Sequence, residues 1–122
     1  MSNRVLRFEI QVPDPEAAIV FYSQTFGWEF TKFPGPLDYW FIKTGSEETA
    51  GIDGGLLKSM DGAARTVNSI EVPSIDTYLA SAVENGATIV VPKMSMPGMG
   101  YLAYILDPFG IILGVSQVDT SA

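Results

Sequence analysis

The polar residues best placed to do chemistry lie near the amino terminus, where residues 7–12 read Arg-Phe-Glu-Ile-Gln-Val. Alternate residues of a β-strand point to opposite faces, so Arg7, Glu9 and Gln11 are expected to share one face. A carboxylate on a partly enclosed face needs a partner, and Arg7 is two residues from Glu9. Two interpretations stay open: a structural Arg7–Glu9 ion pair, or a carboxylate that binds a cationic ligand or acts as a base.

Aromatic side chains are the second group of residues that could form a binding site. Tyr39, Trp40 and Phe41 are consecutive, and Tyr101 and Tyr104 occupy the corresponding part of the second half of the chain. Strand alternation gives each face at least one of these rings. The rings are either core residues or an aromatic wall for a planar or cationic small molecule.

Composition excludes several classes of protein. The 122 residues include no cysteine and no histidine, which excludes thiolate and imidazole metal sites, cysteine nucleophiles and Ser-His-Asp triads. The formal charge of −7 argues against a nucleic-acid surface. The sequence contains no apolar run of about 20 residues and no signal-like segment, so we expect a cytoplasmic protein without a membrane partner.

Only 17% of the residues are charged, against about 25% in an average domain. A chain this small with so few charges is expected to cover part of its surface with a partner. A homodimer is the simplest such assembly.

The elements that must position these side chains occur twice. An apolar alternation runs into Val-Pro and a helix-capping residue at Asp14 and again at Ser74, and a helix-ending glycine follows at Gly27 and at Gly86. Helices are predicted over 14–27 and 74–86, each followed by three strands, at 28–33, 38–44 and 51–58 and at 87–91, 100–107 and 111–118. The sequence predicts an α+β fold of two βαβββ modules, residues 1–60 and 61–122.

The order of these motifs resembles the vicinal oxygen chelate superfamily, which includes glyoxalase I, extradiol dioxygenases and bleomycin-resistance proteins. The motifs that carry the resemblance are Val-Pro-Asp-Pro-Glu at 12–16, Phe21-Tyr22, Phe26-Gly27-Trp28 and Asp107-Pro108-Phe109-Gly110. The resemblance implies a cupped, mostly antiparallel sheet with ligand in the hollow, helices outside, and a homodimer.

The resemblance also implies where metal ligands would lie. The corresponding positions hold Arg7, Val67 and Gly114, and none of these side chains can donate an electron pair to a metal. We therefore predict no metal and no cofactor. An oxygen-only Mg²⁺ or Ca²⁺ site that uses the carboxylates of Glu9, Asp53 and Glu71 is the chemical alternative.

These expectations favour a metal-independent small-molecule-binding protein of the glyoxalase/bleomycin-resistance type. Its ligand is expected to be cationic or planar. The alternatives are a glyoxalase- or dioxygenase-like enzyme, a lyase or isomerase whose only candidate catalytic residue is Glu9, and a dimeric accessory protein with a vestigial cup. Residues 94–100, rich in methionine and glycine, are predicted to form a flexible rim. The predicted pocket residues are Arg7, Glu9, Tyr39, Trp40, Phe41, Tyr101 and Tyr104.

Overall fold

A computed structural model describes residues 3–35 and 37–122; Met1, Ser2 and Pro36 lie outside the described residues. The chain forms two compact units. The first unit is residues 7–67, and the second unit is residues 68–122 with 3–6. The order strand–helix–strand–strand–strand occurs twice along the chain, so the predicted α+β class and the duplicated βαβββ plan are confirmed.

The first repeat forms a four-stranded mixed sheet in the order β2-β3-β4-β1. Strand β1 is parallel to β4, while β3 is antiparallel to both β2 and β4. Its elements are β1 (Arg4–Val12), α1 (Pro15–Phe26), β2 (Glu29–Lys32), β3 (Tyr39–Lys43) and β4 (Gly54–Lys58).

The second repeat has the equivalent strand order, β5-β8-β7-β6. Strand β5 is parallel to β8, and β7 is antiparallel to both of its neighbours. Its elements are β5 (Arg65–Glu71), α2 (Ile75–Glu84), β6 (Thr88–Met96), β7 (Gly100–Leu106) and β8 (Ile112–Val118).

Helix α1 begins and ends where its capping residues require. The Asp14 carboxylate accepts a hydrogen bond from the Ala17 amide at 3.2 Å, and Pro15 occupies the first turn, where no amide hydrogen is needed. Gly27 ends the helix in the left-handed conformation, with φ of 73°. Helix α1 packs on a core built around Ile10, Ile42 and Leu56.

The predicted end of the strand over 87–91 is wrong: this strand is β6, and β6 continues to Met96. Pro92 lies within the second of two shifts in the pairing of β6 with β7, between Val91 and Met94. Proline has no amide hydrogen to donate, and a bulge removes the need for that hydrogen bond. The predicted rim is therefore reduced to the turn that joins β6 to β7.

Across the part of the chain that the structure describes, neither helix is long and apolar enough to cross a membrane.

Candidate functional site

The polar face is the side of the first unit's sheet that carries Arg7, Glu9 and Gln11. Residues 8, 10 and 12 of β1 pack with helix α1, so the alternating polar residues lie on the opposite side of the sheet. Glu9 is 1% exposed and Gln11 is 7% exposed, whereas Arg7 is only partly buried. The predicted orientation of this strand is confirmed.

Glu9 is held by a tyrosine from a neighbouring part of the sheet. The Tyr39 hydroxyl donates a hydrogen bond to Glu9 Oε2 at 3.3 Å, and Tyr39 is 3% exposed. Gly55 pairs with Glu9 on one side and with Phe41 on the other. A Cβ at Gly55 would overlap the Tyr39 hydroxyl. The missing side chain at position 55 is what lets the Tyr39 ring extend across β4 to Glu9.

The same surroundings keep Tyr39 protonated. Burial raises the pKa of the Tyr39 phenol well above its usual value of 10.0, and the negative charge of Glu9 raises this pKa further. The Arg7 guanidinium opposes the shift and does not cancel it. Tyr39 therefore stays a hydrogen-bond donor throughout the neutral range.

This shift predicts a loss of stability in alkali. A raised pKa means that the folded protein keeps the Tyr39 proton more tightly than the unfolded chain, so its contribution is complete below pH 10.0 and is lost as pH rises above that value. We expect the free energy of unfolding to fall with pH above 10 in the native protein and to fall less steeply in Tyr39→Phe. Urea titrations from pH 8 to 11 measure both slopes. Equal slopes would contradict the buried, protonated Tyr39.

Arg7 and Glu9 both act on one hydroxyl group, that of Tyr39. The Arg7–Glu9 ion pair stays a prediction. Glu9 accepts the hydrogen bond from Tyr39, and the Arg7 guanidinium also acts on the Tyr39 hydroxyl. The sequence did not indicate that Tyr39 contacts Glu9. The one indication of close packing there was the Gly-Gly pair at the start of β4, because glycine in a strand often marks a close approach by another part of the chain.

Gln11 is oriented by a chain of polar contacts that ends in the segment joining the two repeats. Arg65 donates to Gln11 Oε1 at 3.0 Å and forms an ion pair with Asp61 at 2.6 Å. Ser59 donates to the same aspartate at 2.9 Å. The Arg65 hydrogen bond holds the pKa of Asp61 well below its usual range. Because the Gln11 oxygen accepts the hydrogen bond from Arg65, the Gln11 amide nitrogen is directed away from Arg65.

The three aromatic residues of β3 divide between the two faces. Tyr39 and Phe41 pack edge to face with ring centroids 5.6 Å apart, and Phe33 packs on Phe41 at 5.9 Å. Trp40 instead packs on the helix-side core, where the Lys32 ammonium lies 5.4 Å from its ring centroid. The structure therefore removes Trp40 from the predicted pocket, because strand alternation places it on the face opposite Phe41.

The two tyrosines of β7 divide in the same way within the second unit. Tyr104 is 2% exposed and is paired with Gly114. Tyr101 packs against the core beneath α2, and the Lys93 ammonium lies 4.9 Å from its ring centroid. Tyr101 is thus also removed from the predicted pocket, since its ring belongs to the helix-side face.

Comparison with known proteins identifies the class. The model of the Glyoxalase/Bleomycin resistance protein/Dioxygenase superfamily matches residues 4–115. The chain belongs to this superfamily, as the order of its motifs indicated.

Curated relatives carry a related name. The chain is 26% identical over 115 residues to proteins of Mycobacterium bovis and Mycobacterium tuberculosis named "Putative glyoxylase CFP32". The match covers 91% of this chain and 44% of theirs, so the chain spans less than half the length of these relatives.

Solved structures share the fold at lower identity. The Mn(II)-bound glyoxalase from Novosphingobium aromaticivorans is 20% identical with a TM-score of 0.63, over 98% of this chain and 40% of that one. Methylmalonyl-CoA epimerase from Mycobacterium tuberculosis is 11% identical with a TM-score of 0.69, over 98% and 93% of the two chains.

The residues of this chain do not fit a metal site of the kind that a Mn(II)-bound relative suggests. Among the residues with described positions, no three histidine, cysteine, aspartate or glutamate side chains come together. The alternative of a carboxylate site is also weakened, because Asp53 accepts hydrogen bonds from the Thr44 amide at 2.9 Å and from its hydroxyl at 3.3 Å. Arg7, on the polar face, carries five donors and no acceptor.

Proposed function

We propose that the chain is a metal-independent small-molecule-binding protein that holds its ligand on the polar face of the first unit. One observation carries this proposal: Arg7, Glu9 and Gln11 lie in a row on one face, and the last two are positioned by Tyr39 and Arg65. Polar groups held in fixed orientations beside aromatic rings are the usual lining of a small-molecule site.

Exposure separates the supporting residues from those that would touch the ligand. Glu9 and Tyr39 are 1% and 3% exposed, so they hold the face in shape. Arg7 and Phe41 are only partly buried. These two side chains are the part of the polar face that a ligand would contact first.

A thermal-shift screen of small molecules, with and without EDTA, tests the proposal. We expect ligands that raise the melting temperature equally in both conditions, because no metal takes part. The shift should be lost in Phe41→Leu and kept in Trp40→Phe, which changes the neighbouring ring on the opposite face. A shift that EDTA abolishes, or one stoichiometric transition metal per chain by elemental analysis, would contradict metal-independent binding.

Catalysis by Glu9 is the second candidate, and the Glu9–Tyr39 hydrogen bond favours it. A fixed carboxylate can take up and return a proton, and the neighbouring phenol, which stays protonated, can donate a hydrogen bond to the negative charge that develops. An isomerase or lyase of this kind would exchange a ligand C–H with deuterium from D₂O, and Glu9→Gln would stop the exchange. A ligand that binds for hours without exchange or chemical change would contradict this candidate.

A further inference from the structure

The outer stripe of helix α1 is a set of exposed residues on the side of the helix away from the core: Ala17, Val20, Phe21 and Gln24. These positions are spaced i, i+3, i+4 and i+7, so they share one side of the helix. The opposite side packs on the core through Ala18, Ile19 and Tyr22. Val20 and Phe21 are 54% and 57% exposed, although both are large and apolar. Helix α1 is therefore apolar on both sides, which is typical of a helix that is covered on both sides.

Helix α2 is the equivalent helix of the second repeat, and it lacks such a stripe. Its buried residues are Ile75 and Leu79. Its exposed residues include Asp76, Thr77, Ser81 and Glu84. An apolar side toward the core and a polar side toward water is the ordinary pattern of a surface helix. The apolar outer stripe is thus particular to α1 and is not required by the βαβββ plan.

The Phe21 ring is held in position by its neighbours. It packs edge to face on Tyr22 with ring centroids 5.2 Å apart, and Tyr22 stacks on Trp28 at 5.2 Å. Tyr22 and Trp28 in turn pack against the core of the first unit. A ring that is already positioned loses little conformational freedom when a partner binds, and aromatic side chains are enriched at the centres of protein interfaces.

The charge around the outer stripe indicates which partner fits. Residues 17–28 contain no charged side chain, although the whole chain carries a formal charge of −7. Two copies of an acidic protein repel each other where their charges meet, so an uncharged surface is where two copies can join. A helix that binds a membrane surface would carry lysine or arginine on its polar side, and α1 contains neither.

We propose that the outer stripe of α1 is the surface on which a second copy of this chain docks, with the two α1 helices packed against each other across a two-fold axis. In such a contact the same surface is used by both copies, so it has to be complementary to itself. An apolar and uncharged stripe meets this requirement, with Val20 and Phe21 at its centre. The expected homodimer thereby acquires a specific interface.

Two valines provide the variant and its control. Val20 on α1 and Val83 on α2 are 54% and 50% exposed, so glutamate at either position should leave the fold intact, which circular dichroism checks. Sedimentation equilibrium at micromolar concentrations and above should give twice the chain mass for the native protein and for Val83→Glu. Val20→Glu should raise the dissociation constant of the dimer about 100-fold, because the two-fold axis brings two glutamates together in an apolar contact. Phe21→Ala should raise it about tenfold.

The absence of cysteine from the sequence allows the interface to be located directly. Gln24→Cys and Ser81→Cys each introduce a single site for a nitroxide label, at exposed positions of α1 and α2. Pulsed electron spin resonance then measures the distance between the labels of the two copies. We expect the shorter distance from Gln24→Cys, because the axes of two packed helices lie about 8–10 Å apart.

Three results would overturn the proposed interface. They are a native protein that stays monomeric throughout the concentration range, a dimer that Val20→Glu leaves intact, and labels that are closer together in Ser81→Cys than in Gln24→Cys. The first result would leave the outer stripe to a partner other than this chain, and the other two would place the dimer contact elsewhere. None of the three bears on ligand binding at the polar face, which the thermal-shift screen tests separately.

Discussion

Gly55→Ala is expected to lower the free energy of unfolding by about 3 kcal/mol, because the new methyl group would occupy the position of the Tyr39 hydroxyl. Tyr39 would have to move, and its hydrogen bond to Glu9 would be lost. Urea denaturation monitored by circular dichroism measures the change, and amide chemical shifts of β1 and β3 report whether Tyr39 has moved.

Gly114→Ala is the matched control. Gly114 has the equivalent place in the second unit, where it pairs with Tyr104 as Gly55 pairs with Phe41, but a Cβ there would lie 3.5 Å from the Tyr104 ring, which is an ordinary contact. We expect a change below about 1 kcal/mol, since the added methyl also reduces the entropy of the unfolded chain. In a Tyr39→Leu background, Gly55→Ala should cost much less. Equal effects of the two glycine substitutions in the native background would show that Tyr39 does not depend on Gly55.

Removing either partner of the Glu9–Tyr39 hydrogen bond gives the second large effect. Tyr39→Phe removes this hydrogen bond, and Glu9→Gln replaces its charged acceptor with a neutral one, so each is expected to destabilise the fold by about 2 kcal/mol at this buried site. The double variant should be less destabilised than the sum of the two, with a coupling energy of about 1–2 kcal/mol from denaturant titrations.

A parallel cycle with Arg7→Met and Glu9→Gln separates this geometry from a direct ion pair. Glu9 accepts the Tyr39 hydrogen bond, and Arg7 acts on the same hydroxyl, so we expect the coupling of Arg7 to Glu9 to be smaller than the coupling of Tyr39 to Glu9. Stronger coupling of Glu9 to Arg7 than to Tyr39 would contradict this expectation and support the predicted ion pair.

The sequence determined the features that depend on neighbours along the chain. Asp14 and Gly27 bound helix α1 because capping is decided within one helical turn. The alternation of residues 7–12 separated a polar face from an apolar one, because successive side chains of a strand point in opposite directions. Since both patterns recur in the second half of the chain, the duplicated βαβββ plan followed from the sequence as well.

Only the tertiary structure brought Tyr39 to Glu9. Arg7 and Glu9 are two residues apart on one strand, and that spacing of about 7 Å holds their Cα atoms farther apart than partners on adjacent strands. The Tyr39 hydroxyl reaches Glu9 because three strands are aligned so that Gly55 lies beneath it, a register that depends on long-range pairing. The alternation of strand side chains likewise predicted that Trp40 lies on the face opposite Tyr39 and Phe41. Only the packing of helix α1 showed which face is which: Trp40 faces the helix-side core, and Phe41 lies on the polar face with Arg7.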